Sequence, residues 1–450
     1  MSVLGIIAAI LMLGLLVTVH ELGHFWVATL LKIKAFEVSI FVGPKLVDWR
    51  RNNVEYSIRA LPFGAYVRFN EFDENGEVVE SDDPDILINS PRWKRLIVAL
   101  AGPFMNLVLG VIIFIFLYSF AGYPTTEIGG YFYGSQFESV IMNEETPFEF
   151  GDTIVKVNGH RVYSYLDYNL RINDESMIEP VTLTMRSQST NEFYDIVLEP
   201  QVEERPMIGI LQASGINEKY NGFEVYEVYD SQNNGHPVLK VGDILTKVNG
   251  KSVADDDFYD FMQQFQAGDV LSLTYYRNGE EHVDDCVYTM MTSTNDRGPK
   301  MYSYEVKDFE TFLGAVRNAL YMPYTIMSGS VILIGDVFEG EEEVYNMVSG
   351  PVGMTTVVSE VVDNVDHSFT EKLADFVFIV GIISIGLVFS NLLPIPGLDG
   401  IQILLIIVEL IIGHALSKKS ENILNICGFV LLIGLALFAF ASDIIRLIVG

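Results

Sequence analysis

Cysteine is nearly absent from this chain. Cys286 and Cys427 are the only two in 450 residues, and Cys427 sits in an apolar run, so neither a disulfide framework nor a cysteine metal site is indicated. Positive charge is scarce too: 28 Lys and Arg stand against 59 Asp and Glu, for a net charge of −31. So acidic a chain repels nucleic acid and excludes it as a partner. The first apolar stretch lacks a basic start and a small-residue cleavage site, which argues against a cleaved signal peptide.

Apolar residues, by contrast, are abundant. Half the chain is hydrophobic, and runs long enough to cross a bilayer occupy 6–31, 96–121, 376–407 and 423–449. Four transmembrane helices are expected. Lys32, Lys34, Lys45, Arg50, Arg51, Arg59, Arg68, Arg92, Lys94 and Arg95 lie between the first two, and Lys418 and Lys419 between the last two. Both loops are therefore expected to face the cytoplasm, leaving the long acidic segment 122–372 and both termini outside.

The first run contains His20-Glu21-Leu-Gly-His24. Three ionisable side chains in a spanning helix cost several kcal/mol unless something pairs with them, and a metal ion would do so. Residues four apart share a helix face, so both imidazoles can aim at one ion. Glu21 then lies beside that ion, placed to take a proton from a water the metal has acidified. A third ligand is required. The strongest intramembrane carboxylate is Asp399, in Asn391-Leu-Leu-Pro-Ile-Pro-Gly-Leu-Asp399-Gly400. The prolines and glycine before it interrupt helical hydrogen bonding, which is tolerated at membrane depth where the backbone lines a protein site.

HELGH at 20–24 and NLLPIPGLDG at 391–400 together resemble the two signatures of the site-2 proteases, intramembrane zinc metalloproteases, and within them the regulator-of-sigma-E branch. The resemblance runs along essentially the whole chain. It implies His20, His24 and Asp399 as ligands of one Zn2+, with a fourth position open as in a catalytic site, and Glu21 as general base. It also implies that two extended stretches, 36–48 and 54–69, joined by a polar turn at 50–53, form a membrane-associated β-hairpin that offers an edge to substrate. Asn391, within the second signature, is a candidate for holding substrate backbone. Asn106, where small residues open the second helix, is a candidate either for that role or for helix packing.

The external segment contains a repeat, Gly151-Asp-Thr-Ile-Val-Lys-Val-Asn-Gly159 and Gly242-Asp-Ile-Leu-Thr-Lys-Val-Asn-Gly250. Each copy reads as a turn, a short strand and an Asn-Gly turn, similar to a segment of PDZ domains. Ile128-Gly129 and Ile208-Gly209 are read as an early strand of each. No clear GLGF-type carboxylate loop is present, which weakens terminal-carboxylate capture and favours the role the resemblance implies for such paired domains, a filter excluding substrates with bulky external parts; a plain structural spacer is the alternative. Residues 308–334, with Phe312, Leu313, Val316, Leu320 and Tyr324 at helical spacing, are read as an amphipathic helix on the outer membrane face.

The expected architecture is a polytopic α-helical membrane protein with four transmembrane helices, a β-hairpin and two extracytoplasmic PDZ-like α+β domains. Its divisions are 1–121 (two helices and the hairpin), 122–203 and 204–300 (PDZ-like), 301–372 (amphipathic helix and linker) and 373–450 (two helices). The expected function is zinc-dependent cleavage of single-span membrane proteins in the bacterial inner membrane, with the site toward the cytoplasm. A pre-trimmed anti-sigma factor or remnant signal peptides are the implied substrates, and the lipid bilayer is the other partner. A metal transporter would not need Glu21 beside His20, and an inactive PDZ-bearing scaffold would tolerate loss of HELGH or Asp399.

Overall fold

The computed structural model describes residues 2–70, 82–131, 135–142, 146–174, 180–199, 202–212, 217, 219–229, 231–255, 258–277, 279–294, 298–339, 350–364, 368–395, 397–414, 426, 430–431 and 433–444. Its contacts divide it into two compact units, one of residues 1–127, 161–174 and 301–450, the other of 128–160 and 175–300.

In the first unit, three helices among the described residues are long and apolar enough to cross a membrane: α1 (Val3–Leu30), α2 (Arg92–Ala121) and the helix Phe369–Leu392. Each buries one stripe and exposes apolar residues elsewhere. Along α2, Val98, Ala101, Gly102, Asn106, Gly110 and Phe114 are buried, while Phe104, Ile112, Phe116 and Phe120 are exposed. Outward-facing apolar side chains suit lipid rather than water. The third expected span, 376–407, is divided: helix Phe369–Leu392 ends, and a new helix starts at Asp399. Pro394 has no N–H to continue the ladder, and Gly397 takes φ +100°, so a helix cannot run through. The fourth run, 423–449, is described mainly over Ile433–Ile444, an apolar helix; Lys418, Lys419 and Cys427 lie outside the described residues.

The expected two-stranded hairpin is a four-segment sheet. Strands β1 (Glu37–Arg51) and β2 (Val54–Arg68) meet at a turn in which Asn52 and Asn53 both have positive φ, the type I′ requirement. Yet Val38 pairs with Tyr56 and with Val67, and Ile40 with Ile58 and with Ala65. Both strands therefore fold back on themselves. Segment 37–40 lies between 55–58 and 65–68, and 65–68 becomes an edge. Bends at Phe41 (φ 67°), Gly43 (φ 89°) and Gly64 (φ 80°) reverse the chain.

Further helices follow. Short helices α3 (Gln136–Ile141), α4 (Tyr165–Asp174) and α5 (Phe258–Met262) precede α6 (Phe309–Glu339). α6 continues through Pro323. The stripe expected to be its apolar face is partly outward, with Leu313, Leu320 and Tyr324 exposed; Ala315, Ala319 and Met322 pack instead on Phe114, Leu117 and Tyr118 of α2. Small residues allow the two helices to approach closely, and the larger ones stay outside. After α7 (Pro351–Asp363) come α8 (Phe369–Leu392), α9 (Asp399–Ile412) and α10 (Ile433–Ile444). Buried Asp443 of α10 accepts hydrogen bonds from Gly350 and Val352 N–H at 2.9 and 3.0 Å, satisfying the first turn of α7.

The second unit holds the repeat, and its two copies share the same backbone bridge and the same Asn-Gly turn. Gly151 and Asp152 bridge to Ile128, through Gly151 N to Ile128 O and Ile128 N to Asp152 O, each 2.8 Å. Gly242 and Asp243 bridge to Val225 in the same way, again at 2.8 Å. The counterpart of Ile128 is therefore Val225, not Ile208 as the sequence suggested; Ile208-Gly209 falls between two strands. In the Asn-Gly turns, Asn158 and Asn249 both have positive φ, and each side-chain oxygen accepts from a neighbouring strand, at Thr182 N and Ser272 N, 2.7 Å. The buried aspartates have different further partners: Asp152 accepts from Tyr194 OH, and Asp243 from Arg277 through two bonds of 2.8 and 2.6 Å.

Candidate metal centre

His20 and His24 lie one turn apart on α1, both buried, on the face that meets α2. Two glycines make the approach possible. A Cβ at Gly23 would run into the Ala101 carbonyl, and one at Gly102 would strike Nε2 of both histidines. α2 also sets the rings: the Val98 carbonyl lies 2.7 Å from His24 Nδ1 and accepts a hydrogen bond from its N–H, which leaves Nε2 as a lone-pair donor. Asn106 Nδ2 lies 3.4 Å from His20 Nδ1.

Asp399 comes from the opposite direction, as the first residue of α9. Between the end of one helix at Leu392 and the start of the next at Asp399 the ladder is broken, and Asp399 Oδ2 lies 2.9 Å from His20 Nε2 and 3.3 Å from His24 Nε2. Gly400 is required next to it, because a Cβ there would enter the Leu392 and Leu393 carbonyls. The two imidazole nitrogens are 3.2 Å apart.

These distances fit a metal ion. Ligands about 2.0–2.1 Å from a tetrahedral ion are separated by roughly 3.3 Å, and the three donor atoms here are 2.9, 3.2 and 3.3 Å apart. The set of two imidazoles and one carboxylate also matches zinc, and the space that a Cβ at Gly102 would fill lies against both nitrogens.

Glu21 is beside this cluster, and its Oε2 accepts a hydrogen bond from Val67 N at 3.1 Å, at the outer edge of 65–68. A cleft of about 650 Å³ opens there, lined among others by Glu21, His24, Val67, Asp399 and Gln402. Its far wall is an ion pair the sequence did not reveal: buried Glu409 of α9 with Arg95 of α2, 3.0 Å. Nothing short of the fold could bring those two together. Of the sequence candidates, His20, His24 and Asp399 converge, Glu21 adjoins them, and Asn106 touches His20. Asn391 instead donates to the Leu387 carbonyl of its own helix at 2.9 Å and does not line the cleft.

A convergent His, His and Asp with a glutamate on the same cleft is the equipment of a metallopeptidase. The model of peptidase family M50 matches residues 8–435, and the chain belongs to that family, as an integral-membrane zinc metalloprotease. A protein of Neisseria meningitidis serogroup A named "Putative zinc metalloprotease" is 27% identical over 468 residues, covering 99% of each chain. The "Regulator of sigma E protease" of Haemophilus influenzae is 24% identical over 465 residues, covering 97% of this chain and 98% of its own. A Clostridium acetobutylicum protein, also named as a zinc metalloprotease, is 33% identical over 220 residues, 46% of this chain and 62% of its own length.

Proposed function

We propose that the chain is an intramembrane endopeptidase in which His20, His24 and Asp399 hold one zinc ion and Glu21 is the general base. The observation that carries this reading is the convergence of three donor atoms from residues far apart in sequence, with Glu21 beside them on one cleft. An ion held by His20, His24 and Asp399 would supply Lewis acidity for the attacking water and the scissile carbonyl. Glu21 accepts the water's proton and returns one to the leaving amine. Val67 N–H orients its carboxylate. The substrate lies extended against the 65–68 edge, where main-chain pairing holds any sequence, so its helix unwinds before cleavage.

The substrates are single-span membrane proteins. The name of the Haemophilus influenzae relative favours a pre-trimmed anti-sigma factor, with remnant signal peptides as the other candidate class. Four spans, the last including Ile433–Ile444, place both termini and the repeat outside and the metal centre toward the cytoplasm of a bacterial inner membrane. The repeat is a pair of extracytoplasmic PDZ-like domains acting as a filter against bulky substrates, within the divisions 122–203 and 204–300. Asn106 and Asn391 are the remaining candidates for contacts to substrate, with Asn106 the nearer to the centre.

The test is co-expression of wild type and Glu21→Gln with single-span substrates whose external domains have been trimmed. Cleavage should fall by about 10²–10⁴-fold in the variant. Undiminished cleavage contradicts the assignment.

A further inference from the structure

One buried acid that the metal centre does not use is Glu37, 3% exposed, at the start of β1. Its Oε1 accepts from Arg59 Nη2 at 2.8 Å, Tyr66 OH at 2.8 Å and Ser57 Oγ at 3.3 Å, and its Oε2 lies 3.5 Å from Arg68 Nη2. Arg59 also donates to the Gly43 carbonyl at 2.6 Å and stacks over Tyr66, 5.4 Å from its ring centre. One carboxylate thus gathers side chains from all the segments that flank it. Burial pushes the Glu37 carboxyl up, but the bonds from Arg59 and Tyr66 and the charge of Arg68 outweigh this and hold it below the usual carboxylate range.

The network's position gives it a consequence for catalysis. Tyr66 and Arg68 bracket Val67, whose N–H meets Glu21. Along a strand, successive N–H groups point to opposite edges. A slip of one residue between 37–40 and 65–68 would turn Val67 N–H toward its neighbour strand and away from Glu21. The other face of these segments carries Val38, Ile40, Ala65 and Val67, of which Val38 alone is buried, so apolar burial there specifies register less sharply than the buried network does. Buried charged networks can impose register where apolar contacts do not.

We infer that Glu37 is a positioning residue for peptide hydrolysis: it locks the register of the 65–68 edge, and so sets where a substrate strand lies relative to Glu21. This rests on the edge-pairing reading above. The test places a cysteine on that edge, Ala65→Cys, and forms disulfides with single cysteines stepped along a substrate span in the full-length enzyme. Steady-state cleavage and zinc content are measured in parallel. With Glu37 intact, crosslinking should concentrate at one or two substrate positions; no crosslink at all would overturn the edge-pairing reading itself.

Glu37→Ala should spread the crosslinks over several positions and lower kcat/KM by about tenfold or more, as expected when a supporting contact to a reacting group is lost. Zinc should remain at the wild-type level. Glu37→Gln, which keeps an acceptor for Tyr66, should recover most of the activity. Should Glu37→Ala fold poorly, Tyr66→Phe removes a single bond to Glu37 and should lower kcat/KM by about threefold with the same spreading of crosslinks. A sharp, unshifted crosslink pattern with kcat/KM within twofold of the parent in either variant overturns the inference. So does loss of zinc from folded Glu37→Ala, which would make the network a support of the metal centre instead.

Discussion

The two halves of the metal centre use the helix in opposite ways. α1 delivers His20 and His24 by staying unbroken, because the four-residue spacing alone puts both on one face. Asp399 arrives because a helix stops: Pro394 and Gly397 end α8, and α9 starts with the carboxylate itself. Regular backbone places a pair of ligands cheaply. Bringing a third from a separate part of the membrane region takes an interruption, which survives there because it lines a protein site.

Perturbing the unbroken half should have the largest effect. His24→Ala removes a proposed ligand, and cleavage should become undetectable in an assay of detergent-purified enzyme; a strong zinc chelator applied to wild type should do the same, reversibly on adding Zn2+. Next comes the wall between the halves. Gly102→Ala puts a methyl against both imidazole nitrogens, so zinc affinity in a competition titration should fall by about 10–100-fold, the range for disturbing the surroundings of metal ligands. The broken half should be more forgiving. Gly397→Ala forces a side chain onto φ +100°, a strain of about 1–2 kcal/mol that should lower kcat/KM about tenfold while leaving α1 untouched. The smallest effect is remote from both. Asp243→Asn weakens the bidentate bond to Arg277 and should cost about 2 kcal/mol, discounted because the arginine is partly exposed, measured by urea unfolding of the repeat-bearing unit within the intact protein with cleavage of trimmed substrates unchanged.

Much of this design could be read directly. The His spacing, the interrupted segment before Asp399 and the Asn-Gly turns of the repeat are local signals, each fixed by residues within ten of one another. What escaped the reading depended on distant partners. The 36–69 region reads as two strands because its β-branched and aromatic residues are continuous, but Phe41, Gly43 and Gly64 turn the chain back and create the edge that meets Glu21. Val225 was hidden as the counterpart of Ile128 because the match is a backbone bridge rather than a shared residue type. Glu37 and Glu409 carry no local signal, because only the fold surrounds them with arginines.

The central claim is that residues separated by most of the chain hold a single ion. Zinc content per folded molecule of purified Asp399→Ala tests it most directly. The account predicts less than about a tenth of the wild-type zinc, since only two ligands would remain. Full zinc occupancy in that variant would contradict it.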